Sequence, residues 1–336
     1  MKDAIMSKAF TDHDDESQLE NEIAKLESQL AEVKARLITK RRAADTDSSS
    51  HHTPSTPTRT TPSPTPPIPD SSHHYLLLLS DSALPLGSFA FSSGLESYLA
   101  HARSPSSASA LLYKPSFASF LPLSLSSYAS TSLPFVLAAH RDPGIIAELD
   151  DVLDASIICA VGRRASIAQG RALLSIWEKS FAPSTAVSAG GRGALEAFSA
   201  ALRRSSHAAS KQAGGKKTAG GVENAADRAD PPPPVSAHLA PLFGAVAQLL
   251  GLSLRQTAYV FLFGHAKALV SAAVRASMFG PYQAQKLLAG GELQVLIADM
   301  IEREWDVPVE EAGQSAPVMD LWIGRHEMLY SRIFNS

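Results

Sequence analysis

LLLLSDSALPLGSFAFSSGLESYL, from Leu76 to Leu99, is the stretch whose reading decides the fold. Four leucines end at Ser80-Asp81-Ser82, a Pro85–Gly87 turn follows, and the chain returns through Phe89 and Phe91 to Gly94-Leu95-Glu96. The segment is too apolar for a surface loop and too punctuated by Pro, Gly and Ser for one continuous helix. It reads as a helix–loop–helix corner whose loop carries small hydroxyl residues and two aromatics. Nothing in it suggests catalysis.

Beyond the corner the patterning is helical. Pro134 to Ala139 leads past Arg141–Gly144 into Ile145–Leu153, and a long pattern follows from Ala155 to Phe181. There Ile158, Val161, Ala165, Ala168, Ala172 and Ile176 recur at spacings of three and four. Leu239 to Leu250 is a further helix, stopped by Gly251. Ser253 and Gln256 form an S-x-x-Q capping box for the apolar helix that comes next. That helix is expected to end at Gly280-Pro281, where the proline opens another. Glu292–Trp305 and Pro317–Phe334 are the last two. No run alternates with a period of two, so the expectation is an all-α bundle of about eight to ten helices.

Three segments flank or interrupt that bundle. Residues 1–16 are acidic and show no secretory pattern. Residues 17–42 carry Leu19, Ile23, Leu26, Leu30, Val33 and Leu37 at alternating spacings of four and three, an amphipathic helix or short coiled coil. Residues 43–72 are a Pro/Ser/Thr-rich linker, and 73–336 form the folded domain. Within that domain 183–236 reads as a low-complexity insertion, with 194–202 a short amphipathic stretch inside it.

Composition excludes several classes of function. Apolar residues make up 45% of the 336, enough for a core, while a net charge of −3 argues against a general nucleic-acid binder. The lone Cys159 precludes an intrachain disulfide and a cysteine-cluster metal site. Thr257–Val274 approaches the length of a membrane span, roughly 18–20 residues. Lys267 near its middle would cost about 2.5–3.5 kcal/mol in a bilayer, which favours a buried helix. His326-Glu327 lacks the second histidine of H-E-x-x-H, and Gly215-Lys216 is followed by Lys217 instead of Ser or Thr. No G-x-S-x-G elbow is present. The His51-His52 and His73-His74 pairs suit weak, transient contact with nickel, copper or zinc, or are simply polar linker.

Four segments, in order, resemble the UreF family of urease accessory proteins, in a eukaryotic, fungal-type form with an N-terminal extension and an internal insertion. Residues 76–99 are similar to the family signature S-D-S-A-x-P-x-G-[GS]-F-x-[FH]-S-x-G-[LM]-E. The others are RRASIAQGRALL at 163–174, the region 238–288 with AAVRASMFGPYQAQKLL, and PVMDLWIGRHEMLYSRIFNS at 317–336. The resemblance implies a cytoplasmic, non-catalytic, all-α homodimer without a tightly bound cofactor. It would bridge a UreD/UreH-type scaffold and a UreG-type GTPase, so that nickel in transit reaches apo-urease. The alternative it implies is a GTPase-activating protein for UreG acting through an arginine, with Arg163, Arg164, Arg171 and Arg275 all available.

On this reading the partner-binding residues are Phe89, Arg325, His326, Tyr330, Arg332 and Phe334, with His326 and Tyr330 on one helical face. Packing onto the body is the competing role for Leu329, Ile333 and Phe334. In the family the terminal arginine and the corner aromatic are associated with recruiting the GTPase, and Arg332 and Phe89 match those positions. Phe89 lacks the hydroxyl of the tyrosine in some relatives, and Ser88 stands where P-x-G-G forms have a second glycine. The dimer face is expected at Tyr259, Phe261 and Phe263, with core packing an equal alternative for Phe261. An internal nickel passage would use polar residues on apolar helices, such as Ser166, Gln169 and Gln248, though such residues also simply bond helix carbonyls.

Overall fold

The computed structural model describes Lys25 and residues 71–102, 115–185, 189–214 and 235–335. The chain divides into two units, Met1–Thr65 and Pro66–Ser336, and the fold is that of the second. The expected 17–42 helix (Lys25 apart) and all but the last two residues of the 43–72 linker lie outside the described residues. The elements are α1 (Ser71–Ser80), a 3-10 turn (Ser88–Ala90), α2 (Leu95–Ala102), α3 (Phe117–Arg141), α4 (Ile146–Ser156) and α5 (Ala160–Ile176). A π-helical turn, Trp177–Phe181, carries α5 on into Ala182–Ser184. Then come α6 (Ala189–Gly214), α7 (Leu239–Leu249), α8 (Leu254–Arg275), α9 (Pro281–Ala289), α10 (Gly291–Glu304) and α11 (Val318–Arg325). No strand occurs among the described residues, and the fold is all-α.

The bundle is organised around α7, which is apolar on every side and buried along its length except at Gln248. Such a helix has to be surrounded, and α3 and α5 lie against it. Two glycines set the approach. A Cβ on Gly244 of α7 would stand 2.1 Å from the Val136 carbonyl oxygen of α3. One on Gly170 of α5 would stand 2.1 Å from the Ala237 carbonyl oxygen, just before α7. Gly251, at φ 80°, stops the helix: the Leu252 N–H reaches the Ala247 carbonyl at 3.0 Å and the Gly251 N–H that of Gln248 at 2.9 Å. The S-x-x-Q capping box forms as expected and opens α8.

Several boundaries differ from expectation. Helix α3 begins at Phe117 and runs through both Pro122 and Pro134, although an interior proline removes a helix hydrogen bond. At Pro134 the freed acceptor is the Ser130 carbonyl, and the Gly313 N–H binds it at 3.2 Å. A distant segment repairs the local defect, which no local pattern could announce. Helix α8 ends at Arg275, ahead of the expected Gly280. Ser277 takes a left-handed φ of 59°, and the Met278 N–H caps the Ala273 carbonyl at 3.0 Å. The last α-helix stops at Arg325 instead of reaching Phe334.

Most of the described part of the 183–236 segment is folded. Residues 189–214 form α6, with Leu195, Phe198 and Ser199 buried. Val235 to His238 are buried as well, held by the carboxylate of fully buried Asp150. Asp150 accepts the backbone N–H groups of Ser236 (2.6 Å), Ala237 (3.0 Å) and His238 (2.6 Å). Ala237 sits at φ 69°, a left-handed value unusual for a non-glycine residue, and these bonds hold it there.

Among the described residues, α8 is the one helix long and apolar enough to cross a membrane. Its apolarity has another explanation here. Thr257, Val260, Phe261, Leu262, Ala266, Leu269 and Val270 are buried against the bundle, and the Lys267 ammonium donates to the Ser80 carbonyl at the end of α1.

Candidate functional site

The corner and the C-terminal tail meet. From α1 the chain turns at Asp81, whose Oδ1 accepts the Ala83 N–H at 2.9 Å, and passes Gly87 at φ 75°. After the 3-10 turn it re-enters helix through Ser93 and Gly94, at φ 49° and 85°. Gly94 lies directly on α11, where a Cβ would meet Trp322 and the Ile323 backbone at 3.0 Å. Two residues on, Glu96 of α2 collects the tail. Its carboxylate accepts His326 Nε2–H at 2.9 Å, the Ile333 N–H at 2.7 Å and the Phe334 N–H at 3.2 Å. The Asn335 N–H then reaches the Ala90 carbonyl at 2.7 Å. Arg275, last residue of α8, lies 4.3 Å over the Phe334 ring and donates to the Phe89 carbonyl.

These anchors divide the six expected partner-binding residues. Phe89 is 64% exposed and Tyr330 fully exposed, and Arg325 and Arg332 are also on the surface. His326 and Phe334 are buried, so they seat the tail and are not on its outer surface. His326 and Tyr330 do not share a helical face, because the chain leaves the α-helix at Arg325 and becomes extended at Leu329. Glu96 draws it back across α2, which outweighs the helical periodicity of the sequence. Ile333 is 65% exposed, and Met328, 76% exposed, adds a further apolar surface. Neither Glu96 nor Arg275 is recognisable from the sequence as a tail anchor. Glu96 ends the corner signature, but its partners are more than two hundred residues away.

Behind the corner lies a cavity of about 450 Å³. Ser124, Ser127 and Thr131 of α3, Ser166 and Gln169 of α5 and His265 of α8 line its polar side. Gln248, expected on the same path, is exposed on α7 and does not line the cavity. Ser166 sits at the end of a relay. The Asp154 carboxylate can only accept, so His238 Nε2 carries the hydrogen between them at 2.7 Å. His238 Nδ1 is thus left to accept the Ser166 hydroxyl at 3.0 Å, while the Ser166 oxygen accepts the Leu239 N–H at 3.3 Å. Both capacities of the hydroxyl are used within the fold, and the relay ties α4, α5 and α7 together. Burial alone would raise the Asp154 carboxyl, but the hydrogen bonds from Arg163 and His238 and the charge of Arg163 hold it at about 2.

His265 Nε2 pairs with Ser124 Oγ at 3.0 Å, and its ring stacks on Tyr128 at 4.0 Å between centroids. Burial pushes its pKa down to about 3 and that of the Tyr128 hydroxyl up. A depressed histidine binds its proton in the unfolded chain first. The stability present at neutral pH is therefore expected to be lost as the pH falls from about 6.5 towards 3, by roughly 1 kcal/mol per pH unit. Urea unfolding at stepped pH checks this, and His265→Phe should flatten the slope.

Among the described residues no three His, Cys, Asp or Glu converge as a metal site. His73 and His74 lie within α1, while His51 and His52 are outside the described residues. Of the expected dimer residues, Phe261 is only 4% exposed, packed between Tyr128 and Phe243 at 4.9 and 5.3 Å, and belongs to the core. Tyr259 and Phe263, one helical turn apart with rings 6.0 Å apart, are half-buried. The candidate finger arginines are all engaged: Arg163 with Asp154, Arg164 with Glu327, Arg171 with the Ser236 carbonyl and Arg275 with the corner.

Comparison with known proteins agrees with the motif reading. The UreF family model matches residues 114–291, just over half of the chain. An uncharacterized urease accessory protein UreF-like of Schizosaccharomyces pombe is 37% identical over 266 residues, covering 78% of this chain and 97% of the relative. Urease accessory protein F of Oryza sativa subsp. japonica is 31% identical over 76% of this chain and 82% of its own length. Its namesake in Arabidopsis thaliana is 29% identical over 77% and 90%. The chain therefore belongs to the UreF family of urease accessory proteins, which serve urease and are not themselves enzymes.

Proposed function

We propose that this protein is an adaptor in assembly of the urease nickel centre, bridging a UreD/UreH-type scaffold and a UreG-type GTPase so that nickel reaches apo-urease. The observation that carries the reading is the docked tail. Buried His326 and Phe334 fix its path, and Phe89 on the corner and Tyr330, Arg332 and Ile333 on the tail are left exposed. Exposed aromatic and arginine side chains on a fixed backbone are what binding hot spots require. Tyr259 and Phe263 are the proposed dimer face, the compartment is the cytoplasm, and the hydroxyl-lined cavity reached by Ser166 and Gln169 is the proposed stretch of nickel path.

Co-purification with the UreD and UreG homologues of the same organism, with GTP and nickel present, tests this. The full chain is expected to assemble the ternary complex. A chain ending before Arg332 should lose the GTPase at least tenfold in affinity, about 1.4 kcal/mol, because hot-spot side chains and their seat go together. Failure of the full chain to bind either partner overturns the reading. GTPase activation through an arginine is favoured by one observation: Arg332 is exposed while the four internal candidates are engaged. In that case Arg332→Ala abolishes acceleration of GTP hydrolysis while the complex still forms.

A further inference from the structure

We infer that the arginines gathered where the tail meets the corner form a basic docking surface with apolar side chains among them, and that what it fits is an acidic protein surface. The Glu96 carboxylate is the hub. It accepts His326 Nε2–H, the Ile333 N–H and the Phe334 N–H. Arg325 and Arg332 each adjoin one of these residues in sequence, so the same carboxylate brings both to one place. Arg275, at the end of α8, joins them by lying 4.3 Å over the Phe334 ring. Arg164 of α5 is drawn in through Glu327, the residue after His326. Positions scattered along the sequence thus supply one cluster of guanidinium groups.

The carboxylates nearby do not balance that cluster. Glu96 is turned inward, with 12% of its side chain exposed and its oxygens taken by the tail. Glu327 is taken by Arg164. Arg275 bonds the Ser271 and Phe89 carbonyls. Among the described residues Arg325 and Arg332 make no ion pair or hydrogen bond, and Arg325 leans over Trp322 at 5.9 Å. Phe89, Met328, Tyr330 and Ile333 are exposed on the same corner and tail. A guanidinium fork matches a carboxylate with two parallel hydrogen bonds, and exposed apolar side chains match the apolar centre of a protein interface, which a phosphate backbone does not offer. The whole chain carries a charge of −3, so the arginines make a local positive field on a slightly acidic molecule. Such a field steers an acidic partner to one face. The inference rests on the adaptor reading and names the chemistry by which the tail takes up the UreG-type GTPase, carboxylates on the face of that protein.

The test reads association rates. Binding of the full chain to the GTP-loaded UreG homologue of the same organism, with nickel present, is followed by surface plasmon resonance at low and high NaCl. The association rate is expected to fall about tenfold between about 0.05 and 0.5 M salt, with the dissociation rate changing far less. At low salt Arg325→Gln should slow association about threefold and Arg325→Glu about tenfold. Neither change removes a hydrogen bond or ion pair from the fold, so urea midpoints should match that of the unaltered chain. Arg255, twenty residues before Arg275 on α8 and thus about 30 Å away, is the control; Arg255→Gln removes the same charge and should leave the rate unchanged. A complex whose association ignores salt or Arg325→Glu overturns the acidic-surface inference and leaves the adaptor reading standing. Equal slowing by Arg255→Gln also overturns it, since that is the net charge of the chain acting. Inhibition by free GTP, beyond that of NaCl at equal ionic strength, assigns the arginines to phosphate and overturns it too. Absence of any complex at every salt concentration overturns both readings.

Discussion

Gly244→Ala is expected to destabilise the protein by at least about 3 kcal/mol, enough to deplete the folded chain at 37 °C. In an exposed helix the same change would stabilise by up to about 1 kcal/mol, because alanine is the better helix former. Here the added methyl meets the Val136 carbonyl oxygen at 2.1 Å, far inside van der Waals contact. Neither group is a side chain that can swing away. Relief requires separating α3 from α7, and with it the packing of Phe135, Leu242, Phe243 and Val246. Gly264, in the middle of α8, is the control, since a Cβ there meets nothing within 4 Å. Chemical denaturation should show Gly264→Ala neutral or stabilising and Gly244→Ala strongly destabilising. Equal effects would mean that the helix crossing is looser than the geometry indicates.

Asp150→Ala is expected to be comparably severe, about 3–5 kcal/mol. The carboxylate is fully buried and accepts three successive N–H groups. Removing it strands three buried donors, and the 235–238 segment loses what holds Ala237 left-handed. His238, which orients Ser166 and pairs with Asp154, sits at the end of that segment, so α4, α5 and α7 come apart together. Asp150→Asn should recover little, because an amide offers one acceptor oxygen and turns two hydrogens towards N–H donors. Asp151, the exposed neighbour, supplies the contrast: Asp151→Ala should change the denaturation midpoint by less than about 0.5 kcal/mol in free energy.

What was legible in the sequence follows the range over which each interaction acts. The Ser253–Gln256 box, the Gly251 stop and the Gly280-Pro281 start of α9 are settled within a few residues, and each occurs where its residues place it. The end of α8 was misplaced because its capping turn uses Ala276 and Ser277, residues with no strong stop preference. The proline-containing α3 was hidden because its compensating donor, Gly313, is 183 residues from the Ser130 carbonyl. At the tail, a helical period continues in the sequence past Arg325 while Glu96 redirects the backbone.

The sequence by itself determined the all-α class, most of the helices, the corner and, through its motifs, membership of an accessory-protein family. Those are properties of apolar periodicity, local caps and residue identity, all of which are written contiguously in the chain. Only the tertiary structure decided which aromatics face outward. Phe261 and Phe334 are buried where Phe89 and Tyr330 are exposed, although all four are aromatic. Only it placed Glu96 on the tail, Asp150 on the 236–238 backbone and Ser166 on the cavity wall. The physical reason is that burial and buried hydrogen bonds depend on which distant segments arrive at a site. One carboxylate can outweigh a turn of helical propensity once it is removed from water.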